Sequence, residues 1–227
     1  MMKSKFLLVQ ILMLTMTFGV FGQSRIGIFT GLNSGKLSGD SPGKFKYSSG
    51  LSFAFGIGYD LQLKEDVFLS FQPSYVNASS NLQHPKLIVE EEEEEEILAD
   101  SINIDFQQFA LPILIKLISD NKKFQFMGGF EFIFPLKMVA DNTEEEIDLI
   151  DNISKVNLNM IFGIGYRIPV KRSLIDINLI YSQALTNLAN NLEDPNSLLP
   201  RIRYSSFRLT AGWYLPVGKN RFQKSSN

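Results

Sequence analysis

The chain has 227 residues, a formal net charge of −2, no cysteine, one histidine, one tryptophan and 19 phenylalanines. That length suits one domain or one barrel. The lack of cysteine excludes a lipid-modified N-terminus, a disulfide framework and thiolate metal sites, and no basic stripe argues for nucleic acid.

The chain opens with Lys3 and Lys5, then the apolar stretch "FLLVQILMLTMTFGVF", then Gly22 ahead of Gln23. A basic start, an apolar centre and small residues at the cut predict a secretory signal peptide over 1–22, cleaved near Gly22–Gln23. Without Lys3 and Lys5 the 22 basic residues fall to 20, against 24 acidic ones, a net charge of −4. No later window is apolar for long enough to make a spanning helix.

From there the pattern has period 2. Residues 25–33 alternate, with Gly27 and Gly31 on the second face. In 51–63, Leu51, Phe53, Phe55, Ile57, Tyr59, Leu61 and Leu63 share one parity, while Ser52, Ala54, Gly56, Gly58, Asp60 and Gln62 share the other. Side chains alternate across a strand, so this spacing predicts strands and not helices. Residues 66–77 and 102–117 read alike, the second with a phase slip at Gln107-Gln108 that predicts a bulge. Four more segments follow at 124–134, 156–168, 174–185 and 204–215. Pro73 and Pro112 each remove a ladder donor and predict a bulge or a distorted strand.

The connections alternate in length. Links at 34–46, 78–101, 135–155 and 186–203 are long; those at 64–65, 119–123 and 171–172 are short. This predicts an all-β, eight-stranded antiparallel up-and-down transmembrane barrel over 23–217, with short periplasmic turns, four long outer loops and a polar tail at 218–227. If Lys171 and Arg172 form a turn, Tyr166 stands opposite Ile177, Ile164 opposite Leu179, and Arg167 opposite Asp176. Apolar then meets apolar and charge meets opposite charge.

Two barrels share such strands. A soluble exported barrel turns its apolar face inward around a ligand, whereas a membrane barrel turns it to lipid. Here the apolar faces are long and bulky, and the other faces carry glycine, serine, asparagine and single charges, which fits a narrow packed lumen. Tyr59, Tyr166 and Trp213 at the turn end, with Tyr75 and Phe106 at the loop end, suit interfacial girdles. The repeated "FGIGY" of 55–59 and 162–166 then marks lumen-facing glycines. A dinucleotide-binding loop would need a third glycine where Leu61 and Ile168 stand.

Several stretches resemble the PorT-like outer-membrane β-barrel family of Bacteroidota. "IGIFTGLN" (26–33) is similar to its first strand, "FQQFALPILIKL" (106–117) to its central strand and "FQFMGGFEFIF" (124–134) to its fifth. "IDINLIYSQALTNL" (175–188) is similar to its penultimate strand, though Leu179-Ile180-Tyr181-Ser182 lacks the usual arginine and Ala184-Leu185 the usual glycine. The family's glutamate before the central proline is replaced by Ala110-Leu111. The resemblance implies an integral outer-membrane barrel. The name-giving type assists protein secretion, and most other members have no assigned activity.

Three features could carry chemistry. Glu90, Glu91, Glu92, Glu93, Glu94, Glu95 and Glu96 form a run in the second long link. Spaced ligands and a sharp turn are absent there, so a solvated, self-repelling loop fits better than a calcium site. His84 lies near Ser79 and Ser80, but nothing in the spacing fixes a serine–histidine–acid geometry for lipid chemistry. Asp60, Asp105, Lys116, Glu131, Arg167, Asp176 and Arg208 fall on the lumen parity and predict a mutually satisfied polar network, not a conduction path. The expected protein is non-enzymatic and monomeric, without cofactor or metal. Its expected partners are outer-membrane lipid, lipopolysaccharide and other envelope or secretion proteins.

Overall fold

The computed structural model describes residues 24–39, 46–83, 101–141, 146–190 and 202–217. The signal segment, His84, the glutamate run and the tail lie outside them. Among the described residues the strands are β1 (Ser24–Gly39), β2 (Lys46–Lys64), β3 (Val67–Phe71), β4 (Ser74–Gln83), β5 (Ser101–Ile118), β6 (Phe124–Asp141), β7 (Glu146–Asp148), β8 (Asn157–Val170), β9 (Ser173–Ala184) and β10 (Ile202–Val217). All pairings are antiparallel. They run β1–β2, β2 to β3 and β4, both of these to β5, then β5–β6–β8–β9–β10, and β10 returns to β1. The sheet is therefore closed, which removes every edge from the ring. β7 stands outside it, paired only with β6.

β3 and β4 keep one register against β5, from Val67↔Leu117 through Ser74↔Ala110. They are one strand interrupted at Gln72-Pro73. Ile57 N donates to Pro73 O at 3.0 Å and Gln72 N to Pro112 O at 3.1 Å, while the reciprocal donors are the two imide nitrogens, which carry no hydrogen. Each proline thus forfeits one ladder bond at the same level of the wall. Neither shifts the register, so of the bulge or distorted strand expected at Pro73 and Pro112 there is no bulge, and at Pro73 the strand is interrupted beside a gap of two donors.

The register between β5 and β6 does shift, between Gln107↔Lys137 and Gln108↔Pro135. The extra residue is Leu136, on β6 and not on β5. Burial alternates without a break along β5, so the phase slip read at Gln107-Gln108 is not a slip of that strand. Its surroundings change instead. Toward the turns, outward positions such as Phe109, Ile115 and Leu117 are exposed and apolar. Toward the loops, outward positions become Asn103, Asp105 and Gln107, and inward ones become Ile104 and Phe106.

The same inversion occurs on neighbouring strands. Lys36 and Arg203 face out, while Leu37, Met138, Ile202 and Tyr204 face in. Below this level the wall carries an exposed apolar band that includes Ile28, Phe55, Phe126, Ile164, Leu209 and Trp213. Along β5 and β10 the band runs from Phe109 to Leu117 and from Phe207 to Leu215, matching the roughly 9–11 residues of a tilted spanning strand. The strands outrun the expected segments because the barrel continues past the band. There water wets the outer wall and apolar side chains fill the lumen.

Candidate functional site

The lumen is built in layers, set by inward parity and by register. Nearest the turns lies an ionic layer. Lys116 on β5 donates through Nζ to both carboxylate oxygens of Asp60 on β2, at 2.9 and 3.1 Å, and is 1 % exposed. β3 separates these two strands, so the pair reaches across the wall's concave side. Arg167 and Asp176 stand opposite each other on β8 and β9, with Nε and Oδ1 3.6 Å apart. That is ion-pair range but too long for a hydrogen bond. Phe68 projects between the charges: the Arg25 guanidinium lies 4.5 Å from its ring centre and that of Arg167 5.9 Å. At the rim Lys122 donates to Asp66 and Glu65, and the Asp66 hydrogen bond raises this lysine above its usual range.

Tyr214 roofs this layer. Its buried ring faces the lysine, with Nζ 5.1 Å from the ring centre. A Cβ on Gly27, Gly58 or Gly212 would collide with that ring. Register places Gly27 beside both Tyr214 and Gly58. The first "FGIGY" therefore keeps its second glycine because a tyrosine from β10 fills the space above it. In the second copy, a Cβ on Gly165 would meet Asn178 and Gln125, whose side chains bond each other at 2.5 Å.

An apolar belt follows, with Leu114, Met127, Ile161 and Ile180 on one side and Ala54, Val76 and Ala110 on the other. Above it Arg208 on β10 reaches Glu131 on β6, Nη2 to Oε1 at 2.5 Å, across β8 and β9. Ser182 donates to Glu131 Oε2 at 2.8 Å and accepts from Asn159 Nδ2 at 2.9 Å. Asn33 donates to the Tyr204 hydroxyl at 2.9 Å and to Asn77 O at 3.1 Å, joining β1, β10 and β4. The loop end is closed by an apolar plug of Leu37, Ala78, Ile104, Phe106, Ile133, Met138, Ile153, Leu188, Ile202 and Tyr204. Phe106 and Tyr204 meet edge to face with centroids 4.8 Å apart.

Six of the seven charges expected in the lumen are buried there, in three pairs: Asp60 with Lys116, Arg167 with Asp176, and Glu131 with Arg208. Asp105 is not among them. It is exposed on the outer wall, because β5 keeps its phase and inverts its polarity. Phe106 accordingly moves from the expected outer girdle into the plug. Arg25, Phe68, Tyr204 and Tyr214 were not singled out in sequence. Two glycines brought to one height by register, Gly27 and Gly58, were the available sign of a bulky lumen residue. His84 and Glu90–Glu96 lie outside the described residues.

A closed antiparallel barrel with an apolar outer band and a packed polar lumen defines a membrane β-barrel. A model of the outer membrane protein beta-barrel domain family matches residues 18–190. The chain belongs to that family and is an outer-membrane barrel. No match is found among curated proteins.

Solved structures similar to the chain include the attachment invasion locus protein Ail of Yersinia pestis, at 14 % identity over 86 % of this chain and 99 % of that one, TM-score 0.45. The outer membrane protein OprG of Pseudomonas aeruginosa is similar at 11 % identity over 88 % and 97 %, TM-score 0.48. The outer membrane protease OmpT of Escherichia coli is similar at 9 % identity over 86 % and 97 %, TM-score 0.43. An attachment protein and a protease stand side by side in that set, and identities this low say nothing of role.

Proposed function

We propose that this protein is a non-enzymatic outer-membrane barrel that works through its long loops and not through its lumen, in a structural, adhesive or secretion-accessory role. One observation carries the reading: the lumen is occupied from end to end by buried side chains, with Phe68 and Tyr214 at the turns, Leu114 and Glu131 midway, and Met138 and Ile202 at the loops. A narrow barrel filled this way leaves the loops as the variable surface. The short turns and both ends of the mature chain face the periplasm, and the long loops, with their acidic stretches at Glu90–Glu96 and 142–151, face outward. A negative rim of that kind favours cationic partners and divalent bridges to lipopolysaccharide. The secretion-accessory variant rests on the resemblance to PorT-like barrels.

Two measurements test this together. Purified protein in a planar bilayer shows no stable conductance steps, and protease added to intact cells cuts within 84–100. Regular steps that survive removal of the loops would move the function into the lumen. Resistance of 84–100 in intact cells, with cleavage only after lysis, would reverse the orientation.

A further inference from the structure

The ionic layer opens at the turn end into a basin of about 590 Å³. Its lining includes five cations, Arg25, Arg167, Lys122, Lys171 and Arg172, against a single acid, Glu65. Lys122 is held by Glu65 and Asp66. The other four are under-matched. Among the described residues Arg25 has no carboxylate at ion-pair distance; it lies against the Phe68 ring and feels Asp60 and Asp176 at longer range. Arg167 is 4 % exposed, and its Nε has no hydrogen-bond acceptor. Its nearest carboxylate, Asp176, stands off at 3.6 Å with both oxygens unbonded. Lys171 and Arg172 are exposed on the rim.

The deeper charges do not balance either. Arg25, Lys116 and Arg167 face Asp60 and Asp176, with Asp66, which Lys122 already holds, adding to the field at Arg167. Two guanidiniums flanking one ring present planar donor forks, which pair with the oxygens of a phosphate as readily as with those of a carboxylate. We infer that the basin is a binding site for a phosphate group, gripped by Arg25 and Arg167 at its floor and met by Lys171 and Arg172 at its rim. A phosphate in the basin supplies an anionic partner to the Arg25 guanidinium and offsets the positive charge of a lining that holds five cations against one acid. The group could be free in the periplasm or be the headgroup of an anionic phospholipid of the inner leaflet. Only these two sources depend on the orientation proposed above; the site itself does not.

The test uses the full mature chain in a neutral detergent. Its thermal midpoint is followed while inorganic phosphate is titrated at constant ionic strength against chloride, and separately while phosphatidylglycerol or phosphatidylcholine is added to the micelles. Saturable stabilisation by inorganic phosphate identifies the free anion. Stabilisation by phosphatidylglycerol and not by phosphatidylcholine or phosphate identifies the headgroup. In either case R25Q weakens half-saturation roughly tenfold, the loss of one charge-assisted contact. The exposed rim variant R172Q weakens it less and folds like the parent. The proposal is overturned if neither ligand acts beyond chloride and phosphatidylcholine, or if R25Q and R172Q respond like the parent. Heat-modifiable gel mobility of each variant, measured alongside, separates a lost site from a lost barrel.

Discussion

Replacing Glu131 by alanine is the sharpest perturbation of the packed lumen. Glu131 is 0 % exposed and serves two partners, Arg208 at 2.5 Å and Ser182 at 2.8 Å. Its removal strands the Arg208 guanidinium, which is buried with an Nε that already lacks an acceptor. Breaking one side of a buried pair destabilises by about 3–5 kcal/mol, because the remaining charge keeps its desolvation penalty. Removing only the Ser182 hydroxyl deletes one hydrogen bond to a charged acceptor, about 1.5–3 kcal/mol. The order of loss is therefore Glu131→Ala, then Ser182→Ala.

The double variant Glu131→Leu with Arg208→Met removes both charges and leaves apolar groups of similar volume, so most of the loss is recovered. Urea unfolding in lipid, followed by fluorescence of the single tryptophan, Trp213, and by unboiled gel mobility, measures all three. A Glu131→Ala loss below about 1 kcal/mol would refute the pairing. So would a double variant whose loss equals the sum of those of Glu131→Leu and Arg208→Met made singly.

Ile164→Arg puts a charge into the exposed apolar band and lowers folding stability in lipid by about 2–4 kcal/mol if that band meets the bilayer core; unchanged stability would contradict the lipid face. Gly58→Leu forces a branched side chain into the Tyr214 ring and costs about 1–3 kcal/mol by overpacking; combining it with Tyr214→Ala restores part of that loss, and urea titration of both variants reads the coupling. Asp105→Asn, on the wetted outer wall, stays within about 0.5 kcal/mol of the parent. Asp60→Asn, which unpairs the buried Lys116, loses several-fold more; equal losses in the same titration would return Asp105 to the lumen.

Much of the barrel was legible because lipid and a narrow lumen impose opposite demands on successive residues. The hairpin across Lys171 and Arg172 shows this: the turn position alone placed Arg167 opposite Asp176 and Tyr166 opposite Ile177, as found. Strand ends toward the loops were not legible, since above the apolar band alternation persists with its polarity reversed. Asp105 and Phe106 were misplaced for that reason. A reversal of environment and a slip of one residue look identical in a single strand and differ only in the partner's register. The extra residue, Leu136, sits on the strand whose pattern carried no warning. Pairing across the lumen was also out of reach. Asp60 and Lys116, or Glu131 and Arg208, lie on non-adjacent strands, and no hairpin rule connects them.

This ring of strands sits in the outer membrane with its apolar face to lipid. Gel mobility of protein from a carbonate-washed outer-membrane fraction, boiled against unboiled, tests it most directly. A folded membrane barrel resists cold detergent, so two mobilities interconverted only by heat are expected, in material that carbonate leaves in the membrane. Protein released by carbonate, with one mobility under both conditions, would contradict it.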